Sequence, residues 1–188
     1  MKSLRLMLCA MPLMLTGCST MSSVNWSAAN PWNWFGSSTK VSEQGVGELT
    51  ASTPLQEQAI ADAVDGDYRL RSGMKTANGN VVRFFEVMKG DNVAMVINGD
   101  QGTISRIDVL DSDIPADTIG TPFSDLYSKA FGNCQKADGD DNRAVECKAE
   151  GSQHISYQFS GEWSGPEGLM PSDDTLKNWK VSKIIWRR

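Results

Sequence analysis

Short segments that contain many β-branched, aromatic and other apolar residues run through the middle of this chain of 188 residues. They cover residues 67–71, 81–88, 93–98 and 103–110, and short segments rich in glycine, aspartate and asparagine separate the last three. Runs of such residues predict strands, and turn residues between two strands predict antiparallel hairpins. We therefore expect an antiparallel sheet in the first half of the chain.

Two Thr-Pro pairs indicate where two short helices begin. The first pair, at residues 53–54, is followed by Gln56, which completes a capping box, and the predicted helix ends at Gly66. The second pair, at residues 121–122, precedes a segment whose apolar residues share a helical face as far as Gly132. Because glycine ends both segments, both helices are predicted to be short.

The second half of the chain has the same order of predicted elements as the first. A hairpin formed by residues 144–149 and 155–159 follows the second helix, and residues 179–186 close the chain as a strand. The segments TISRIDV and KVSKIIW, which end the two halves, match loosely. We interpret this pattern as two helix–hairpin–strand repeats, with a chance recurrence of Thr-Pro as the alternative.

These elements predict a single mainly β domain over residues 45–188. Antiparallel strands with two short helices are typical of a sandwich-like pair of sheets. An α+β fold, with the helices packed on one antiparallel sheet, is the alternative. If residues 1–17 are removed, 171 residues remain, enough for one domain with its own core.

The first residues have the three-part layout of a secretory signal. Lys2 and Arg5 supply positive charge, and the apolar run over residues 6–15 is too short to span a bilayer. The run ends in LTGC at residues 15–18, which resembles the bacterial lipoprotein box. The cysteine of that motif receives a diacylglycerol group and becomes the mature amino terminus, so we predict lipidation of Cys18. A plain signal peptide that contains a cysteine is the alternative.

The expected lipid also predicts a location. Each buried methylene contributes about 0.8 kcal/mol, so three acyl chains would hold the protein at a membrane permanently. Ser19 follows the cysteine, whereas an aspartate there favours inner-membrane retention in enterobacterial lipoproteins. We therefore expect an anchor in the outer membrane, at its periplasmic face.

Residues 18–44 are predicted to be a tether, since small and polar residues dominate them. Trp26, Trp32 and Trp34 are unusual in such a segment. They are candidate contacts with the bilayer interface, the domain or a partner. A mobile linker without specific contacts is the alternative.

Cys134 and Cys147 remain once Cys9 leaves with the signal and Cys18 carries lipid. An even pair in an oxidising compartment predicts a disulfide. A redox pair is the alternative, although catalytic cysteines usually lie two residues apart at a helix start.

Few residues offer catalytic or metal-binding chemistry. His154 is the single histidine of the sequence, and no G-x-S-x-G nucleophile elbow accompanies it. Residues 138–142 begin like a calcium loop, but Arg143 replaces the glycine of the turn and Ala149 replaces the bidentate glutamate. We therefore predict no catalytic residues, no metal site and no cofactor.

Two alternatives assign function to other side chains. The acid pair at residues 173–174 is a candidate for the carboxylates of a hydrolase, and Trp163, Trp179 and Trp186 are candidates for stacking on a polysaccharide. The structural interpretation places the acids in a solvated loop and the tryptophans in the core. The mature chain has 16 basic and 23 acidic side chains, which argues against nucleic acid as a partner.

The lipoprotein box, the Trp-rich tether, the segment GTPFSDL and the spacing of Cys134 and Cys147 together resemble the RpoE-regulated lipoprotein family of enterobacteria. The resemblance covers essentially the whole chain, although the segment at residues 117–119 is a few residues shorter than expected. It implies a mainly β periplasmic domain and expression under the envelope-stress sigma factor, with no catalytic or binding residues to carry over. We expect a monomeric, non-enzymatic envelope protein that binds a protein or an envelope polymer. A hydrolase of cell-wall or lipid material is the alternative.

Overall fold

The structure is a computed structural model of the chain, and it describes residues 40–64, 67–77, 79–114, 118–138, 141, 143–166 and 168–188. These residues form eleven strands and three short helices. The helices are α1 (Glu57–Ala63), α2 (Phe123–Leu126) and α3 (Asp173–Leu176). The strands are β1 (Val41–Ser42), β2 (Gly45–Val46), β3 (Leu49–Thr50), β4 (Arg69–Ala77), β5 (Asn80–Lys89), β6 (Asn92–Asp100), β7 (Thr103–Val109), β8 (Cys134–Lys136), β9 (Val145–Lys148), β10 (Ile155–Ser160) and β11 (Lys180–Arg187).

The strands form two antiparallel sheets. A small sheet contains β1, β2 and β3, and a large sheet contains the other eight strands in the order β4-β5-β6-β7-β11-β10-β9-β8. The prediction of a mainly β, sandwich-like fold is confirmed. The small sheet begins at Val41, inside the segment that the sequence assigned to the tether, and its Val46 and Leu49 belong to the same buried core as the large sheet.

The large sheet consists of two halves with the same order of strands. Strands β4 to β7 run inward from one edge and β8 to β11 run inward from the other, so β7 and β11 are neighbours at the centre. The central register pairs are Asp108 with Ile185, Val109 with Ile184, and Ile107 with Trp186. Because this pairing is reciprocal, an approximate two-fold axis relates the two halves of the sheet, and it passes through the Asp108–Ile185 pair.

The two halves also share local irregularities. A bulge lies between Asn98 and Gly99 where β6 pairs with β7, and another lies between Gln158 and Phe159 where β10 pairs with β11. Each Thr-Pro segment forms an isolated bridge with the first residue of a central strand. The bridges join Pro54 to Thr103 and Pro122 to Lys180. The halves are therefore alike in register as well as in element order.

The capping box predicted at the first Thr-Pro pair is wrong. The Thr53 carbonyl accepts a hydrogen bond of 3.0 Å from the Ile104 amide, and the Leu55 amide donates one of 2.9 Å to the Gly102 carbonyl. This segment therefore pairs with the start of β7, and α1 begins only at Glu57 without a side-chain cap. Tertiary pairing prevails over the local capping signal.

One face of the large sheet is apolar and packs into the core, whereas the opposite face, here called the polar face, carries charged residues. On β7 the fully buried Ile107 and Val109 alternate with Arg106 and Asp108. The largest fully buried side chains include Trp186, Phe85, Phe123 and Phe159.

Candidate functional site

A cleft of about 460 Å³ lies at the polar face, where β8, β9 and β10 approach the end of β11. Its polar side chains include Gln135, Glu146, Lys148, Gln153, His154 and Arg187. An adjoining depression of about 520 Å³ is lined by Tyr127 and shares Lys148 and Gln153 with the first. The antiparallel strands thus gather amide, hydroxyl and charged groups at one edge of the sheet.

Glu146 and Arg187 form a two-point ion pair in the wall of this cleft. Arg187 Nη2 donates to Glu146 Oε2 at 2.8 Å, and Nη1 donates to Oε1. Strand β10 lies between the two strands that carry them, and Glu146 is 6% exposed. Parallel hydrogen bonds between a guanidinium and a carboxylate fix the geometry as well as the charge.

The pair determines the ionisation of both groups. Burial raises the pKa of Glu146, but the hydrogen bond and charge of Arg187, with a hydrogen bond from Ser156, outweigh burial and hold that pKa below its ordinary value. The hydrogen bond to Glu146 raises the pKa of Arg187 against the effect of burial. Glu146 is therefore an ionised carboxylate that is already neutralised, unlike the protonated carboxyl that acts as a general acid.

His154 borders the cleft and is held by the backbone. Its Nδ1 lies 2.7 Å from the Arg187 carbonyl oxygen, and its ring stacks near Trp186 with centroids 6.3 Å apart. Because a carbonyl oxygen only accepts, Nδ1 is the donor. No serine, threonine or cysteine side chain hydrogen-bonds this ring among the described residues, so the observed role of His154 is to position the end of β11.

Glu43 fastens the small sheet beside the cleft. Its carboxylate accepts hydrogen bonds from the Ser152 hydroxyl and, at 3.1 Å, from the Gln153 amide, and these bonds lower the pKa of Glu43. The Glu43 carbonyl also accepts a hydrogen bond of 3.1 Å from Trp186 Nε1. The sequence analysis missed this residue because its partners lie more than a hundred positions away along the chain.

A second charged network crosses the centre of the polar face. Arg106 Nε donates to Asp108 Oδ1 at 2.6 Å, and Lys183 Nζ lies 2.6 Å from Asp141 Oδ2 and 3.8 Å from Asp108 Oδ2. These contacts join the two halves of the sheet and attach Asp141 to it. They therefore have a structural role.

Only some of the site residues predicted from the sequence lie among the described residues. Cys18, Trp26, Trp32 and Trp34 lie outside the described residues. Cys134 and Cys147 are register partners on β8 and β9 and form a disulfide, with their Cα atoms 3.9 Å apart. Residues 139, 140 and 142 of the calcium-like segment are also outside the described residues.

The acids and tryptophans that the sequence analysis considered have structural contacts. Asp173 Oδ1 accepts a hydrogen bond of 2.8 Å from the Ala130 amide, and Asp174 lies 3.5 Å from Lys177 Nζ. Trp179 and Trp186 are buried in the core. Trp163 is partly buried, and its ring lies 5.5 Å from Lys136 Nζ. None of these residues lines the cleft.

The described residues contain no cluster of three His, Cys, Asp or Glu side chains suited to a metal ion. Within the same residues, no helix has the length and apolar character needed to cross a membrane.

The cleft combines exposed hydrogen-bonding groups with charges that are largely satisfied. Gln135 and Lys148 are exposed on neighbouring strands, and Lys148 Nζ lies 3.3 Å from Gln153 Oε1. Amides and an ammonium group can hydrogen-bond hydroxyl, amide and carboxylate groups of a ligand. The arrangement therefore favours polar binding over acid–base chemistry.

Comparisons with known proteins agree with one another. The family model of a protein of unknown function, DUF1131, matches residues 23–188. The uncharacterized protein YfeY of Escherichia coli strain K12 is 97% identical over 191 residues, with 100% of both chains covered. A crystal structure of the uncharacterized protein yfeY from Escherichia coli has a TM-score of 0.74 at 92% identity, covering 80% of this chain and 100% of that one. Because the family model matches residues 23–188, the chain belongs to the DUF1131 family.

Proposed function

We propose that this chain is a lipid-anchored protein of the outer membrane that faces the periplasm and acts by binding. The LTGC sequence at residues 15–18 supports an anchor on Cys18, and Ser19 supports the outer membrane as its location. Expression under the envelope-stress sigma factor, which the resemblance to RpoE-regulated lipoproteins implies, is part of the proposal.

The Glu146–Arg187 pair is the observation that carries the binding role. A general acid needs a raised pKa, and a nucleophile needs a neighbouring base. Glu146 has a lowered pKa, and the His154 ring is hydrogen-bonded to a backbone carbonyl. The groups that would be poised for catalysis in such a cleft are thus engaged in holding β9, β10 and β11 together.

The ligand class that suits the cleft is a polar envelope polymer, and we propose peptidoglycan. Its glycan and peptide parts present hydroxyls, amides and carboxylates. The Gln135 and Gln153 amides can hydrogen-bond the hydroxyls and amides, and the exposed Lys148 ammonium can pair with the carboxylates. A protein held at the periplasmic face of the outer membrane would meet this polymer directly.

Co-sedimentation of the full chain with purified peptidoglycan sacculi tests the proposal. The double variant Gln135→Ala/Lys148→Ala removes two exposed groups of the cleft and should reduce the bound fraction at least fivefold. Lys129→Ala, at an exposed lysine outside the cleft, should bind like the unchanged protein. Absence of binding, or equal loss in both variants, would contradict the proposed ligand.

A further inference from the structure

The outer edge of β4 is long and without a backbone partner in the described part of the chain. This strand of nine residues, Arg69–Ala77, ends the large sheet, and its ladder hydrogen bonds go to β5 alone. No other described backbone group bonds to it. Long unpaired edges are unusual because they attract further strands.

Among the described residues, the β4–β5 ladder is longer than the β8–β9 ladder, its counterpart in the other half of the sheet. The Met74–Arg83 pair corresponds in register to Lys136–Val145, the last pair of β8 and β9. Beyond it, β4 and β5 continue as an extension in which residues 75–77 pair with residues 80–82. In the other half, strand pairing ends at Lys136–Val145, and one further backbone hydrogen bond of 3.0 Å joins the Ala137 amide to the Ala144 carbonyl. The extension adds little to the core, since Val81 is 71% exposed and Met74, at the base of the extension, is 73% exposed.

The segment formed by β4 and the first part of β5, residues 69–85, is cationic although the chain as a whole is acidic, with a formal charge of −5. Arg69, Arg71, Lys75 and Arg83 lie between residues 69 and 85, and this segment contains no acidic residue. Arg71 pairs with Glu86 on β5 at 2.5 Å, and Arg69 lies 3.9 Å from Asp91. Among the described residues, Lys75 and Arg83 have no acidic partner within ion-pair distance.

The Phe84 side chain on β5 forms part of the surface at the β4 edge. A Cβ atom placed on Gly73 would lie 2.4 Å from Cζ of Phe84, so the Phe84 ring covers this glycine. Lys75 Nζ lies 5.7 Å from the centre of the same ring. The polar face of the edge therefore presents Arg71, an aromatic surface over Gly73, and Lys75 in succession.

We propose that the β4 edge binds an extended acidic segment of a partner protein, which adds to the large sheet as a ninth strand. Free backbone groups would supply the hydrogen bonds, and alternate side chains would supply the specificity. A second copy of this chain is disfavoured, because β4 against β4 would bring cations together. The regular backbone edge favours a peptide over an anionic lipid surface, which offers no matching ladder.

The edge defines the pattern of the partner segment. Residues of the added strand that face Arg71 and Lys75 lie four positions apart and should be acidic, and the residue between them contacts Phe84 and should be apolar. Residues that alternate with these lie beside Met74 and should also be apolar. The peptide TEVLVET has this pattern.

Fluorescence anisotropy of labelled TEVLVET with the full chain tests the proposal. The peptide should bind, and TKVLVKT, in which lysine replaces both glutamates, should bind at least about tenfold more weakly because two ion pairs become repulsive. Lys75→Glu should weaken TEVLVET binding by about fivefold, whereas Lys129→Glu, at an exposed lysine elsewhere, should leave it unchanged.

Methylated peptides separate strand addition from simple charge attraction. Backbone amides of successive strand residues point to opposite sides of the strand. One peptide is therefore N-methylated at positions 2, 4 and 6 and a second at positions 3 and 5, so that only one of them loses the amides that face β4. One peptide should lose binding and the other should keep it. Equal binding of both would overturn the proposal, as would no binding of TEVLVET. A third outcome would assign the edge to lipid instead. In that case phosphatidylglycerol vesicles retain the unchanged protein but not Lys75→Glu, and TEVLVET does not bind.

Discussion

Glu146 on β9 and Arg187 on β11 are joined across the intervening strand by a two-point ion pair, with Nη2 and Oε2 2.8 Å apart. The pair ties the penultimate residue of the chain to the edge of the sheet that carries the disulfide. It therefore closes the second half of the sheet and shapes the proposed binding cleft at the same time.

Replacing this carboxylate should destabilise the domain. Glu146→Gln removes the carboxylate that forms the two-point ion pair with the partly buried Arg187, and we expect the free energy of unfolding to fall by about 2 kcal/mol. Urea denaturation at pH 7 measures the change. Glu162→Gln, at an exposed acid, should stay within about 0.5 kcal/mol of the unchanged protein.

The stability conferred by Glu146 should depend on pH. Its pKa in the folded protein is lowered, so its contribution is complete above the unfolded value of about 4.3 and is lost as the pH falls through the folded pKa. Denaturation of both proteins between pH 3 and pH 7 should show a constant difference above about pH 5 that shrinks in more acidic solution. A difference that grows towards low pH would contradict this account of the pair.

The disulfide should stabilise the same edge. Cys134→Ser/Cys147→Ser removes a link that closes a loop of 13 positions, and the loop-entropy estimate gives a loss of about 3 kcal/mol. Denaturation with and without dithiothreitol measures it. The reductant should lower the stability of the unchanged protein and leave that of the double variant unaffected.

The small sheet should behave as part of the domain and not as tether. Val46 is 1% exposed, so Val46→Ala should cost about 2 kcal/mol of unfolding free energy through lost burial. Val81→Ala is the matched control, because Val81 is 71% exposed on the hairpin extension. Equal effects in thermal or urea denaturation would refute the assignment of the small sheet to the core.

Most of the longer strands of the large sheet were predictable because runs of β-branched and apolar residues, and the turn residues between them, are local signals. The ends of β5, β6, β7, β10 and β11 all lie within two residues of the predicted ones, whereas β4 continues six residues past its predicted end at residue 71. β1, β2, β3 and β8 have two or three residues each, too few for a periodic pattern. Their existence depends on pairing with distant segments, and the same long-range pairing displaced the start of α1.

The cleft was less predictable than the fold. The disulfide followed from counting the cysteines of a chain that we expect in an oxidising compartment. Strand register cannot be read from the sequence, and register is what brings Glu146 to Arg187 across 41 positions. Glu146 did carry a local signal, since it alternates with the buried Val145 and Cys147. That pattern places it on the polar face and leaves its partner unknown.

The anchor should depend on one cysteine. Cys18→Ser should abolish incorporation of labelled palmitate and leave the precursor unprocessed, because no thiolate remains to accept diacylglycerol. Cys9→Ser, which changes the other cysteine of the amino-terminal segment, should be lipidated normally and fractionate with the outer membrane. Palmitate labelling and sucrose-gradient fractionation provide the readouts, and a lipidated Cys18→Ser protein would exclude Cys18 as the attachment site.

Photocrosslinking in intact cells tests the proposed binding of peptidoglycan most directly. A photoreactive amino acid replaces Gln135 in the cleft, and a control protein carries it at the exposed Lys129 outside the cleft. We predict a high-mass adduct at position 135 that a muramidase digests to small fragments, and no such adduct at position 129. No adduct at position 135, or an equal adduct at both positions, would contradict binding of the polymer in this cleft.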